Sequence, residues 1–375
     1  MPDFATIAIA GAGAMGSGIA QVCAQSGRDV LLFDLSAPAR ERGREAISDN
    51  LDRQISKGRI SRSTAETILS RIRLAATPEA LAPAGLVIEA IIEKPEPKQA
   101  LFRALEAICG PETVFATNTS SIGVGEIASA LAVPVRLAGL HFFNPAQVMK
   151  LVEVVGHAAT PPALTERLAA FARDIGKTPV ICADSPGFIV NRCARPFYGE
   201  ALAILEEGVF DAPAIDAAMR ARGYRMGPFA LIDLVGADIN LAATETVWAA
   251  LGRNPRYLPF PALRAQVARG DLGAKTGRGF VTPAVEAAPA PEAVADRIEA
   301  ALVNEAAHMC DEGLADAAGI DTAMKLGLNF PRGPFEILAA VGPAEVRARL
   351  AAAAATAPDA LKPRYAPAAA LDTPA

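Results

Sequence analysis

Residues 6–34, TIAIAGAGAMGSGIAQVCAQSGRDVLLFD, decide how this chain begins to fold. TIAIA reads as a short buried strand, and the glycine-rich GAGAMGSG follows it with no spacer. From about Met15 to Ser26 the apolar positions recur at helical spacing, and Gly27 stands where a helix C-cap belongs. DVLLFD is then a second strand ending in Asp34. Strand, G-x-G-x-x-G, helix, strand and acid together form the setting in which a glycine-rich turn binds a dinucleotide. Gly11 permits the tight turn, Gly13 lets the backbone approach a pyrophosphate, and Gly16 lets helix and strand pack closely. With Ala12, Ala14 and Met15, these residues bring N–H groups and the positive helix end toward the phosphates. Asp34 suits both ribose hydroxyls, repels a 2′-phosphate and has no arginine immediately after it, so NAD is expected over NADP.

Further strands over residues 86–92, 113–118, 135–141 and 177–182, separated by long amphipathic segments, predict an α/β Rossmann-type, doubly wound parallel sheet. Ligands of such sheets bind beyond the carboxyl ends of the strands. Glu93, residues Asn118 to Ser121, and His141 fall at such ends and are expected to converge on one crevice. Oxidising an alcohol by hydride transfer requires a base for the hydroxyl proton, and imidazole suits that task. His141, one of three histidines in the chain, closes an apolar run there. Glu153, inside the apolar run KLVEVV, reads either as the carboxylate that orients the imidazole or as the outward face of an edge strand. His157 and His308 read as surface or structural.

Bulk properties bound the function. The 375 residues allow two or three domains, and 51% hydrophobic with 21% charged residues is ordinary globular composition. A net charge of −5 and a pI near 5.5 argue against nucleic-acid and anionic-membrane surfaces. Cys23, Cys109, Cys182, Cys193 and Cys310 form no CxxC pair, so neither a disulfide framework nor a metal site is expected, and a reducing cytoplasm fits. The apolar N-terminal run has Asp3 but no basic residue before it, unlike a secretory leader. No strongly apolar uncharged run of membrane-spanning length follows.

GAGAMGSGIAQ, NTSSI, HFFNPAQVMKLVEVV, DSPGFIVNR and KTGRGF together resemble the NAD-dependent L-3-hydroxyacyl-CoA dehydrogenases of fatty-acid β-oxidation, over about residues 4 to 281. RPFYGEAL is similar to the bacterial members acting on 3-hydroxybutyryl- and 3-hydroxyadipyl-CoA. The resemblance implies His141 as base with Glu153 as its partner, Ser120 on the reacting oxygen, and Asn191 near the substrate carbonyl. It also implies Glu93, Lys98, Ser120, Asn144 and Lys275 as cofactor contacts, and Arg53 and Lys57 on a helical arm that meets coenzyme A phosphates. A solvated basic face is the other reading of that pair. A dehydrogenase of a free hydroxy acid, such as the L-gulonate 3-dehydrogenases of lambda-crystallin type, would share the cofactor site and the His/Glu pair. A non-catalytic structural relative has no reason to keep base, partner, serine and asparagine together.

The expected domains are a dinucleotide-binding domain over 1–184, a helical domain over 185–281 for substrate and dimerisation, and a Pro/Ala-rich linker over 282–296. Glu200, Glu207-Gly208, Ile215-Asp216 and Met219 recur 105 positions later as Glu305, Glu312-Gly313, Ile320-Asp321 and Met324. Gly227-Pro228-Phe229 recurs as Gly333-Pro334-Phe335. These matches mark 297–350 as a second, degenerate helical repeat: Asp296 stands where Asn191 does, and no second KTGRGF follows. It is expected to dock on the first copy, with Phe335 packing as Phe229 does, and to leave homodimerisation open. The proline-rich 351–375 predicts a disordered tail.

Overall fold

The computed structural model describes residues 4–372; Asp3 and the last three residues of the tail, which entered the readings above, lie outside them. The chain divides into two compact units between Asp184 and Ser185.

The first unit is built on one eight-stranded sheet: β1 (Thr6–Ala10), β2 (Asp29–Phe33), β3 (Ile72–Ala75), β4 (Leu86–Glu89), β5 (Val114–Thr117), β6 (Leu137–Phe142), β7 (Leu151–Gly156) and β8 (Thr178–Ala183). Their order is 3-2-1-4-5-6-7-8. The first six run parallel, and β1 lies between β2 and β4, the point where strand order reverses and a ligand crevice opens. Ile7, Ile9, Val87, Ile88 and Phe115 are buried, as the near-continuous apolar runs of a doubly covered sheet require. Helices α1 (Ala14–Gln25), α2 (Ala37–Ser56), α3 (Arg62–Ser70), α4 (Pro95–Ile108), α5 (Val124–Ala128) and α6 (Pro162–Asp174) belong to this unit. Gly27 follows α1 with φ +91°, the left-handed stop that its position suggested. The arm α2 buries only Gly43, Ile47 and Leu51. Its two large apolar side chains contribute about 1.5–3 kcal/mol each and anchor a helix that is otherwise solvated.

The sheet departs from an all-parallel reading at its far edge. β7 runs antiparallel to β6, and β8 runs parallel to β7, so residues 178–183 point opposite to the first six strands. The connection over residues 143–150 is shorter than the dozen or so residues that a parallel crossover needs, so β6 returns as a hairpin. β3 escaped the sequence reading because IRLA is too short to carry a period.

The second unit contains α7 (Val190–Glu206), α8 (Ala212–Ala221), α9 (Pro228–Val235), α10 (Ala237–Ala250), α11 (Pro261–Ala268), α12 (Glu292–Asp311), α13 (Ala317–Leu328), α14 (Pro334–Val341) and α15 (Pro343–Thr356). The run α7–α10 is repeated as α12–α15 with its local chemistry intact. Asp211 caps α8 by accepting from Ala214 N, and Asp316 caps α13 by accepting from Gly319 N. Asp216 accepts from the Phe229 and Ala230 amides at the start of α9, and Asp321 accepts from Phe335 and Glu336 at the start of α14. Gly227 and Gly333 precede those starts because an added Cβ would lie 2.3 and 2.2 Å from the Asp216 and Asp321 carboxyl carbons.

α7 packs on α12 through two reciprocal ion networks, each centred on a fully buried glutamate, Glu305 or Glu200. Arg192 reaches Glu305 at 3.0 Å and Glu312 at 2.6 Å; Arg297 reaches Glu200 at 2.5 Å and Glu207 at 2.7 Å. Tyr257 donates to Glu305 at 2.6 Å and Tyr365 donates to Glu200 at 2.8 Å. The second copy therefore docks on the first as a pseudo-twofold partner, with Phe229 and Phe335 both buried.

Three expectations about the C-terminal part need correction. The linker stops at Pro291, since α12 begins at Glu292 and takes in Asp296. The second copy runs past 350, because α15 continues to Thr356. The tail expected to be disordered folds through 372 as short 3-10 helices, Asp359–Tyr365 and Ala369–Asp372, and buries Arg364, Tyr365, Ala368 and Leu371. Pro363-Arg364-Tyr365 repeats Pro255-Arg256-Tyr257, and Arg364 bonds Glu200 at 2.9 Å. Low apolar content concealed a segment held by hydrogen bonds to the buried Glu200 and to Asn304 and Asp311.

Candidate active site

The glycine turn between β1 and α1 has the geometry its spacing suggests. Gly11 sits at φ +112°, and a Cβ there would lie 2.4 Å from the Ala90 carbonyl oxygen. At Gly16 a Cβ would meet the Gly11 oxygen at 1.8 Å, which is the close helix–strand approach. Around Gly13 an added Cβ would meet nothing within 4 Å, so its backbone faces open space. No side chain caps α1, and its first amides are available to an anion. Asp34, at the end of β2, accepts from Ala12 N at 3.0 Å and Ser36 N at 2.9 Å, tying the turn to the start of α2. A dinucleotide fits this cradle.

The hairpin β6–β7 places His141 directly opposite Glu153 in register. Both side chains are buried, and His141 Nδ1 lies 2.7 Å from Glu153 Oε2. Glu153 is thus on an interior strand, which decides against the edge-strand alternative. A carboxylate bonded to Nδ1 fixes the imidazole orientation and makes Nε2 the ring nitrogen that would exchange a proton with a substrate. Asn118, after β5, accepts from Phe142 N at 2.8 Å and pins the end of β6.

Glu93 organises the loop after β5. It accepts from Thr119 Oγ1 at 2.7 Å, Ser120 N at 2.8 Å and Ser121 N at 3.2 Å. Partial burial raises its pKa, but the Lys98 ammonium and these donors outweigh that and hold the carboxyl below the usual range. Lys98 is itself buried, 2.6 Å from the fully buried Glu89 and 3.1 Å from Glu93. Sequence reading missed Glu89, which also accepts from Thr117 Oγ1 at 2.6 Å, because an acid inside a strand carries no local signal of its partners. It missed Lys177 likewise, whose ammonium donates to the Ala146 and Met149 carbonyls at 2.5 and 2.7 Å and so holds the loop after His141. Burial pushes the Lys177 pKa down to about 8.

Arg53 lies in the last turn of α2 and Lys57 caps its end, both exposed. Asn144 is exposed in the loop between β6 and β7. Asn191, at the start of α7, and Lys275 belong to the second unit. Lys275 pairs with Asp238 at 2.5 Å on a loop anchored by Asp233, which accepts from Phe280 N and Val281 N at 2.9 and 2.8 Å. His157 is structural, its Nε2 lying 3.1 Å from the Leu137 oxygen.

A dinucleotide cradle and an imidazole–carboxylate pair on one sheet define the class of nicotinamide-dependent dehydrogenases. Residues 6–185 match the NAD-binding domain of 3-hydroxyacyl-CoA dehydrogenase, and the C-terminal domain of that enzyme matches twice, over 187–283 and 294–373. The chain belongs to the 3-hydroxyacyl-CoA dehydrogenase family. It is 46% identical over 280 residues to the 3-hydroxyadipyl-CoA dehydrogenase of Escherichia coli K12, an alignment covering 74% of this chain and 59% of that one. It is 41% identical to a probable 3-hydroxybutyryl-CoA dehydrogenase of Bacillus subtilis, over 73% of this chain and 96% of the relative. The crystal structure of a 3-hydroxybutyryl-CoA dehydrogenase from Escherichia coli K12 superposes with a TM-score of 0.92 at 34% identity, covering 98% of this chain and 97% of that one. The second C-terminal-domain match extends the repeat well beyond the degenerate fragment expected from sequence.

Proposed function

We propose that the protein oxidises the 3-hydroxyl of an L-3-hydroxyacyl-CoA to the 3-oxoacyl-CoA, reversibly and with NAD. The observation that carries this reading is the buried His141–Glu153 pair, 2.7 Å apart, at the carboxyl edge of a dinucleotide-binding sheet. NAD, when bound, accepts the hydride from the carbon that bears the hydroxyl. His141 takes the hydroxyl proton on Nε2, and Glu153 stabilises the imidazolium that results. Ser120 contacts the reacting oxygen, and Asn191 holds the substrate near its carbonyl. The backbone of Gly11 to Gly16, with Ala12, Ala14 and Met15, receives the pyrophosphate, and Asp34 the ribose. Glu93, Ser120, Asn144 and Lys275 meet the cofactor, while buried Lys98 acts through Glu93. The exposure of Arg53 and Lys57 supports a role on coenzyme A phosphates.

Among the described residues no helix is long and apolar enough to cross a membrane. A reducing cytoplasm is the compartment we assign, supported by five cysteines that are all free thiols. The names of the relatives favour a short CoA ester. The test is NADH formation with NAD and 3-hydroxybutyryl-CoA, extended to 3-hydroxyadipyl-CoA and longer chains, with free 3-hydroxybutyrate as comparison. Turnover of CoA esters that His141→Ala lowers by roughly 10²- to 10⁴-fold supports the reading. Inactivity on every ester, or equal turnover of the free acid, overturns it.

A further inference from the structure

Asn191 follows a strained turn. Gly187 has φ +81°, and Phe188, a buried bulky residue, sits at φ +47°, in the left-handed region that side chains of its kind avoid. Such strain persists only where surrounding contacts over-determine it. Two of those contacts come from Arg192. Its backbone N–H donates to the Gly187 oxygen at 3.1 Å, and its Nη1 donates to Ser185 Oγ at 3.1 Å. The same guanidinium donates to Tyr257 OH at 3.1 Å, to Glu305 at 3.0 Å, and to both oxygens of Glu312 at 2.6 and 2.7 Å. Two carboxylates of the second copy thus grip the turn that carries Asn191.

The pseudo-twofold provides an internal comparison. Arg297 makes the reciprocal grip on Glu200 and Glu207, with Tyr365 OH at 3.1 Å. The side chains of Glu312 and Glu207 are equally exposed, at 46% and 44%. On that side, however, the residue before the arginine is Asp296, engaged by Arg222 and Arg349. Among the described residues, none between Gly277 and Gly313 has a positive φ. The clamp is duplicated, whereas the strained turn and the asparagine are not.

We propose that the second copy braces the substrate site: Glu312 and Glu305, acting through Arg192, hold the 185–190 turn and so position Asn191 for the acyl-CoA. Glu312 is a positioning residue, and the duplicated domain contributes substrate affinity without contributing chemistry. This rests on the reading of Asn191 as the residue that holds the substrate.

The test uses the full chain and the variants Glu312→Gln, Glu207→Gln and Asn191→Ala, with steady-state kinetics on NAD and 3-hydroxybutyryl-CoA and thermal unfolding. The two glutamine variants should lose similar thermal stability, since they break equivalent contacts. Only Glu312→Gln should lower kcat/KM for the acyl-CoA, by roughly 10- to 100-fold, as a small misplacement of a positioning group does. The KM for NAD should not move in either variant. Added to Asn191→Ala, Glu312→Gln should have no further kinetic effect, because the two act on one contact. Equal kinetic losses in Glu312→Gln and Glu207→Gln, or unchanged kinetics in Glu312→Gln beside an impaired Asn191→Ala, overturn the brace alone. An Asn191→Ala enzyme with unchanged acyl-CoA kinetics overturns both the brace and the substrate role of Asn191. Should either glutamine variant fail to fold, Glu312→Asp and Glu207→Asp, which keep the charge and shorten the reach, carry the same comparison.

Discussion

Replacing Glu153 with glutamine keeps the size of the side chain and removes its charge, which isolates what the carboxylate does for His141. The bond is buried and 2.7 Å long, and it becomes an ion pair when the imidazole gains a proton. A hydrogen bond to a charged group contributes about 1.5–3 kcal/mol. At about 1.4 kcal/mol per decade this predicts a loss of roughly 10- to 150-fold in kcat, with the KM for NAD unaffected. His141→Ala should lower kcat by roughly 10² to 10⁴. Combining the two should add nothing further to the kinetic loss, because Glu153 acts through the imidazole. Stability should move differently. His141→Ala deprives a buried carboxylate of its imidazole, so Glu153→Gln should cost less stability in that background than in the parent. Steady-state NADH formation and urea titration of the four proteins measure both cycles. A Glu153→Gln enzyme within about twofold of the parent in kcat, or additive kinetic losses, refutes the pairing.

Three further outcomes can be checked. Asp34, followed in sequence by exposed Leu35, should make NAD preferred over NADP by about a hundredfold in kcat/KM, a difference of about 2.8 kcal/mol; equal values for the two cofactors refute the assignment. Truncation after Val281 strips Arg192 and Glu200 of their ion partners and exposes the apolar face of α7, so sedimentation should show dimers or aggregates, or thermal unfolding should come earlier. An unchanged mass and melting temperature would mean the second copy is an appendage. The hydrogen bonds from Arg192 hold Glu312 below the ordinary glutamate value of 4.5. A depressed carboxyl contributes stability that is present above its unfolded pKa and lost as pH falls through the folded one. The stability gap between the parent and Glu312→Gln should therefore hold at neutral pH and close on acidification below 4.5, and a pH-independent gap would contradict it.

What the sequence determined by itself is local. The glycine turn, Asp34 and the strands around them follow from steric rules acting over a few residues, and the family motifs pointed to His141 and Glu153. The alternation of KLVEVV could not say whether Glu153 faces an edge or a histidine; that depended on β7 reversing against β6 and setting the two residues in register. The resemblance implied Lys98 as a cofactor contact, and no local pattern reports that its ammonium is buried between Glu89 and Glu93. The final stretch looked disordered because composition measures apolar content. Its order comes instead from Arg364 and Tyr365 on Glu200, more than 160 residues away in sequence. Buried charges are stable only where the whole fold delivers their partners, so the ion networks that join the two copies, and the grip on the turn before Asn191, exist only in the tertiary structure.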